Sequence, residues 1–117
     1  MDKMKLEAGI IYGSRLQELY DYCKDAQCAL PAVNVIGSNS MNAAMMAARE
    51  ASAPIIIQFS NGGAKFNAGK FLDNSNEKAA IAGAVAGALH IRHLAKIYGV
   101  SVVLHTDHAA RKLLPWV

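Results

Sequence analysis

Cysteine is scarce in this sequence of 117 residues, which contains only Cys23 and Cys28. Their spacing differs from the Cys-x-x-Cys of redox and metal motifs, and no second pair accompanies them. Free thiols are therefore favoured over a disulfide framework. Free thiols in turn predict a reducing, cytoplasmic setting for the protein.

Aromatic residues are also few, at 7% of the chain, and the 12 lysines and arginines are scattered rather than gathered into a run. A nucleic-acid interface needs a basic stripe, often with aromatic side chains that stack on bases. The net charge of +3 thus indicates a mildly basic surface. We expect no nucleic-acid partner, while a basic pocket for a small phosphorylated substrate stays open.

Long hydrophobic runs are missing too. The first residues lack the apolar stretch of a signal peptide, and the alanine-rich segment at 79–89 is too short to cross a bilayer. The chain is nevertheless 53% hydrophobic, which is enough for a core in one domain. We expect a soluble protein with no membrane partner.

Apolar runs and helical patterns alternate along the chain. Helices are predicted at about 15–26, at 41–51 and from the polar residues at 74–77 to about 98, and strands at about 29–37, 54–60 and 100–105. Residues 14–17 (SRLQ) and 74–77 (NSNE) match the capping-box pattern of helix starts, and residues 64–74 are expected to be irregular. The alternation favours right-handed βαβ units, and hence an α/β fold with a parallel sheet.

Each predicted strand ends in polar side chains, at the edge where parallel sheets bind ligands. These side chains are Asn34 on the first strand, Gln58 and Ser60 on the second, and His105, Asp107 and His108 at the third. Strand ends enriched in this way indicate one site that several strands share.

Two chemistries fit the end of the third strand. Because alternate strand residues share a face, His105 and Asp107 should lie together, and His108 should face away or begin the turn. A metal ligand beside an acid and a hydrogen-bonded His–Asp pair are equally compatible with this spacing. Ser60 and the glycines at 62–63 match a phosphate-binding loop, although an ordinary strand-to-loop turn is favoured.

Four sequence blocks follow one another along the chain. They are ALPAVN at 29–34, QFSNGGA at 58–64 with AGK at 68–70, the Ala/Gly-rich segment that ends in YGV at 98–100, and VLHTDH at 103–108 continuing to KLLPW at 112–116. Together they resemble the N-terminal part of class II, zinc-dependent fructose-1,6-bisphosphate aldolases of the longer class A branch. The resemblance extends over nearly all of the chain from about residue 10. One departure is AAR at 109–111, where Cys-Ala-Lys is expected, and it leaves the catalytic roles unchanged.

The resemblance implies a fold and a reaction. Members are (β/α)₈ TIM barrels, typically homodimers. They reversibly cleave fructose 1,6-bisphosphate to dihydroxyacetone phosphate and glyceraldehyde 3-phosphate in glycolysis and gluconeogenesis. The chain would then hold the first three β/α units of a TIM barrel, incomplete in residues 1–117, with a capping helix at about 14–26.

The resemblance also implies roles for particular residues. His108 would be one of three histidine ligands of Zn²⁺, a metal that acts as a Lewis acid on the ketone. Asp107 would be the catalytic acid that protonates or polarises the aldehyde oxygen. Ser60 would contact the substrate near a phosphate, with Asn34 and Gln58 as supporting substrate-binding residues.

Full members of the family are about three times longer, so the remaining zinc ligands and most of the eight strands would lie outside this chain. We therefore expect a fragment that is inactive alone, or a truncated product, which associates with the missing C-terminal part or with a copy of itself. A non-catalytic module that binds a phosphorylated ligand or a partner chain is the alternative. A tagatose-bisphosphate aldolase relative is disfavoured by the long segment at 65–76.

Overall fold

A computed structural model describes residues 4–117 and contains a four-stranded sheet. The strands are β1 (Gly9–Ile10), β2 (Ala32–Asn34), β3 (Ile55–Phe59) and β4 (Ser101–Thr106). They are arranged in the order β1-β4-β3-β2, and every neighbouring pair is parallel. The predicted α/β fold with a parallel sheet is therefore confirmed. β2, β3 and β4 lie side by side in chain order, as successive strands of a (β/α) barrel do.

Four α-helices accompany the sheet. They are α1 (Gly13–Asp25), α2 (Gly37–Ala51), α3 (Asn61–Ala68) and α4 (Lys78–Tyr98), and short 3₁₀ turns occur at Ser75–Glu77 and Arg111–Leu113. α4 ends at Gly99 in the left-handed conformation, with φ at 73°, which lets the chain turn directly into β4. Within residues 4–117, none of the helices combines the length and hydropathy that crossing a bilayer requires.

Two elements differ from the sequence expectation. β1 was not predicted, because its two residues are too few to show an alternating pattern; it pairs only with the first two residues of β4. α3 (Asn61–Ala68) occupies the first five residues of the segment at 64–74 that was expected to be irregular. Two glycines in its first turn argue against a helix on propensity alone, and tertiary packing and a side-chain cap override that preference.

The capping box expected at Ser14 is wrong. α1 begins two residues earlier than expected, at Gly13, and its N-cap residue Tyr12 makes no side-chain capping hydrogen bond. Ser14 lies within the first turn, and the Gln17 amide donates to Asp21 (3.0 Å) instead of reaching back to the helix start. The helix is held by its packing rather than by its cap, as is common when one face of a helix is buried.

The second capping box, expected at 74–77, is also wrong as drawn, because α4 begins after Glu77 and the Glu77 carboxylate does not reach back to the backbone N–H of Asn74. Asn74 Oδ1 accepts from the backbone N–H of Ala80 (3.1 Å), and its amide donates to Glu77 Oε2 (3.2 Å). Asn76 and Glu77 both adopt left-handed backbone angles, so the chain enters α4 through a tight turn. Asn74 therefore satisfies a backbone donor in the first turn of α4, as a capping residue does.

One face of the sheet packs against α2 and α4 and carries the larger apolar cluster. Its most buried members are Met45 of α2, Ile57 of β3, Ile91 of α4 and Val102 of β4. Burial of side chains of this size contributes about 1.5–3 kcal/mol each. The opposite face carries a smaller cluster in which α1 covers the amino-terminal half of β4.

α3 follows the carboxyl end of β3 and packs closely on α4, because α4 has a glycine where the two helices touch. A Cβ atom at Gly83 would lie 1.7 Å from the carbonyl oxygen of Ala64, and one at Gly87 would lie 2.7 Å from the ring of Phe59. Neither contact is sterically allowed, so only glycine permits this approach. Gly83 thus allows α3 to pack closely on α4, and Gly87 allows Phe59 of β3 to do the same.

Candidate functional site

The polar strand ends meet on one face of the sheet. Asn34 of β2 lies opposite Gln58 of β3, and Gln58 lies opposite His105 of β4. Because residues in register point to the same face, the three side chains form a row across three strands. Polar side chains from several strand ends were expected to meet at one edge of the sheet, and these three side chains do so.

Hydrogen bonds join this row and extend it to Asp107. His105 Nδ1 lies 3.0 Å from Gln58 Oε1, the Gln58 amide donates to Asn34 Oδ1 (2.7 Å), and the Asn34 amide donates to Asp107 Oδ2 (3.0 Å). An amide oxygen only accepts, so His105 Nδ1 is the donor in this arrangement. We refer to Asn34, Gln58, His105 and Asp107 as the polar row.

His105 and Asp107 are therefore not a direct pair. The hydrogen-bonded His–Asp pair that the spacing allowed is wrong, because Gln58 and Asn34 stand between the two side chains. Sequence reasoning named both amides but missed their mutual contacts. These contacts depend on the strand register, which no local pattern in a three-residue strand such as β2 reveals.

Asp107 is held by donors on both of its oxygens. Oδ2 accepts from Asn34, and Oδ1 accepts from the backbone N–H of His108 (2.9 Å). The Asn34 amide and then the His108 N–H hold the pKa of Asp107 below its ordinary value, and positive charge on His108 or His105 adds to the effect. The carboxyl is accordingly an ionised proton acceptor at neutral pH.

Ser60 and Asp107 line the same cleft, together with Glu77 and Trp116. The volume of the cleft is about 60 Å³, which suits a few water molecules and not a sugar bisphosphate. Ser60 also caps α3, because its Oγ accepts from the backbone N–H of Gly63 (3.0 Å). Among residues 4–117 its hydroxyl donates to no acceptor, and it lies next to the positive end of the helix dipole.

His108 follows β4 and has an exposed side chain. Its ring makes no hydrogen bond within the described part of the chain. Among residues 4–117, no three His, Cys, Asp or Glu side chains come close enough together to hold a metal ion. An exposed imidazole suits zinc, but a catalytic zinc site uses three protein ligands, so these residues supply at most part of one.

Comparison with known proteins identifies relatives over almost the whole chain. Residues 14–114 match the family described as fructose-bisphosphate aldolase class-II. The fructose-bisphosphate aldolase of Campylobacter jejuni (serotype O:2) is 55% identical over 112 residues, which is 96% of this chain and 30% of that protein. That of Neurospora crassa is 52% identical over 118 residues, covering 99% of this chain and 33% of the relative.

A solved structure supports the same match. The crystal structure of the Campylobacter jejuni aldolase superposes on this chain with a TM-score of 0.88 and 56% sequence identity. The match covers 95% of this chain and 31% of that structure. The chain thus spans about 30% of the length of the curated relatives that it matches.

Proposed function

Because this chain belongs to the class-II fructose-bisphosphate aldolase family, we propose that it supplies the N-terminal portion of an enzyme that reversibly cleaves fructose 1,6-bisphosphate to dihydroxyacetone phosphate and glyceraldehyde 3-phosphate. The observation that carries the proposal is the family match over residues 14–114, which includes Ser60, Asp107 and His108. The lyase activity belongs to the whole enzyme. We also propose that this enzyme is a cytoplasmic homodimer and that the chain alone is inactive.

Asp107 would move the proton at the bond that breaks. In the cleavage direction, its ionised carboxylate would accept the proton of the hydroxyl whose carbon becomes the aldehyde. In the condensation direction, it would return that proton to the aldehyde oxygen, which is the acid role expected from the sequence. The low pKa of Asp107 favours the acceptor state that cleavage requires.

Ser60, Asn34 and Gln58 would contact the substrate. The Ser60 hydroxyl, which donates to no acceptor in the described residues, lies beside the N-terminus of α3, a position that favours a phosphate. Each amide of the polar row uses one N–H in the row, and each has a second N–H that can bind a substrate oxygen.

His108 would be one ligand of a zinc ion, and the others would come from parts of the enzyme outside this chain. When bound, zinc would act as a Lewis acid on the substrate ketone. The exposure of the His108 ring supports the assignment, because the ring is not engaged with other groups of the described chain.

The proposal is tested with an aldolase chimera, in which this chain replaces the matching N-terminal segment of the Campylobacter jejuni enzyme. We expect the chimera to bind zinc and to cleave fructose 1,6-bisphosphate, with tagatose 1,6-bisphosphate as the comparison substrate. The isolated chain serves as the inactive control. A folded chimera that binds zinc and cleaves neither sugar would contradict the proposal and favour a non-catalytic module.

A further inference from the structure

His105 has no role in the proposed reaction, although it lies at one end of the polar row. We propose that His105 is a positioning residue, which fixes the amide orientations of Gln58 and Asn34 and thereby the carboxylate of Asp107. The inference rests on the proposed function only where activity is measured. Its structural content is the hydrogen-bond order of the row.

The order of donors along the row leaves a single consistent arrangement. Asn34 turns its NH₂ group towards Asp107 and donates to Oδ2 (3.0 Å). The Asn34 oxygen then faces Gln58, which must present its own NH₂ group. The Gln58 oxygen therefore faces His105, and this oxygen needs a donor at Nδ1.

Asp107 favours this arrangement from one end of the row, and a donor at His105 Nδ1 stabilises it from the other. A primary amide can rotate by 180° and exchange its oxygen and nitrogen, so Gln58 and Asn34 do not fix their own orientation. If Nδ1 presented a lone pair, Gln58 would turn its NH₂ group towards it and its oxygen towards Asn34. Asn34 would then turn as well, and its oxygen would face the Asp107 carboxylate, which is repulsive.

Substitutions at position 105 separate this role from simple packing. In asparagine, the amide nitrogen lies two bonds beyond Cβ, as Nδ1 does in histidine, whereas glutamine places its amide one carbon further out. In the aldolase chimera, we expect His105→Ala to lower kcat by about 10–100-fold with little change in KM. His105→Asn should recover most of this loss, and His105→Gln should not.

Zinc content and controls complete the activity test. His105→Ala should keep its zinc, because His105 acts on Asp107 and not on the metal. His93, an exposed histidine of α4, provides matched controls, and His93→Ala should leave kcat unchanged. Normal turnover by His105→Ala, equal rescue by asparagine and glutamine, or loss of zinc from His105→Ala would each overturn the inference.

A second measurement needs no activity. In the 117-residue chain with ¹⁵N-labelled histidine, we expect NMR to show neutral His105 as the Nδ1–H tautomer. Gln58→Ala should abolish this preference, and His93 should be unaffected. An Nε2–H tautomer at His105 in the folded chain would refute the proposed order of the row. If the unmodified chimera is inactive, the proposed function fails, while the NMR result still decides the role of His105.

Discussion

Two parts of the same sheet face differ in what covers them. Nearer the amino ends of the strands is an apolar row, in which Ala32, Ile56 and Val103 are in register. α1 packs Leu19 and Cys23 against Val103, so this row is buried at β4, half-buried at Ile56 and exposed at the β2 edge. Two residues further along each strand lies the polar row, where α1 no longer covers the sheet.

The comparison shows how one face can serve stability and chemistry at once. The side chains of both rows point the same way, because the strand period is two residues. The two rows differ because α1 covers only the apolar row. Apolar groups are stabilised by burial, whereas polar groups can stay hydrated. Changes in the apolar row should therefore alter the free energy of unfolding, and changes in the polar row should alter turnover.

The largest effect is expected at Asp107, the last member of the polar row. Asp107→Asn keeps the size of the side chain but removes the proton acceptor, so kcat of the aldolase chimera should fall by about 10²–10⁴-fold. Zinc content and the urea midpoint should change little. His108→Ala is the contrasting variant and should lose the metal. Normal turnover by Asp107→Asn would contradict the proposed role.

Leu19 tests how much the packing of α1 on the apolar row contributes to the free energy of unfolding. The side chain is 2% exposed, and its removal leaves a cavity between α1 and β4, so Leu19→Ala should cost about 2–5 kcal/mol in urea unfolding. Leu89→Ala is the matched control in this chain, because Leu89 is 58% exposed. A comparable loss of stability in both variants would show that burial does not distinguish these two sites.

Gly83 tests whether the position of α3 affects Ser60, which lies at the N-terminus of that helix. Gly83→Ala places a methyl group against the backbone carbonyl of Ala64, which cannot yield as a side chain would. We expect a loss near the upper end of about 1–3 kcal/mol in urea unfolding, together with weaker substrate binding at Ser60. Gly62→Ala is the control, since a Cβ atom there meets nothing within 4 Å. Equal effects at both glycines would contradict the close packing of α3 on α4.

The sequence was sufficient to predict the parallel α/β fold and the polar strand ends. Both follow from local patterns: apolar strand runs, helical spacing, and polar residues where each run stops. The end of the last helix near residue 98 was also predictable, because the glycine that follows it adopts the left-handed backbone conformation that ends helices. These features share one property, namely that neighbours in sequence determine them.

The features that the sequence did not predict depend on contacts between residues far apart in the chain. His105 bonds to Gln58, which lies 47 residues away, rather than to Asp107 two residues away, and only strand register brings that partner into reach. α3 forms despite its glycines because Gly83 of α4 admits it. The order of the polar row was likewise invisible, since it follows from three strands at once.

The smallest effect is expected at Ser60, where two substitutions separate an effect on stability from an effect on substrate binding. Ser60→Ala removes the acceptor for the Gly63 N–H and should cost about 1 kcal/mol, whereas Ser60→Gly should cost only a few tenths, because glycine is tolerated at a helix N-cap. Both variants lose the hydroxyl, so both should raise KM for fructose 1,6-bisphosphate in the chimera to a similar extent. Unfolding midpoints and KM are measured on the same preparations. KM could instead rise only in the alanine variant, which loses more stability than the glycine variant. In that case Ser60 would act by holding the N-terminus of α3 rather than by contacting the substrate.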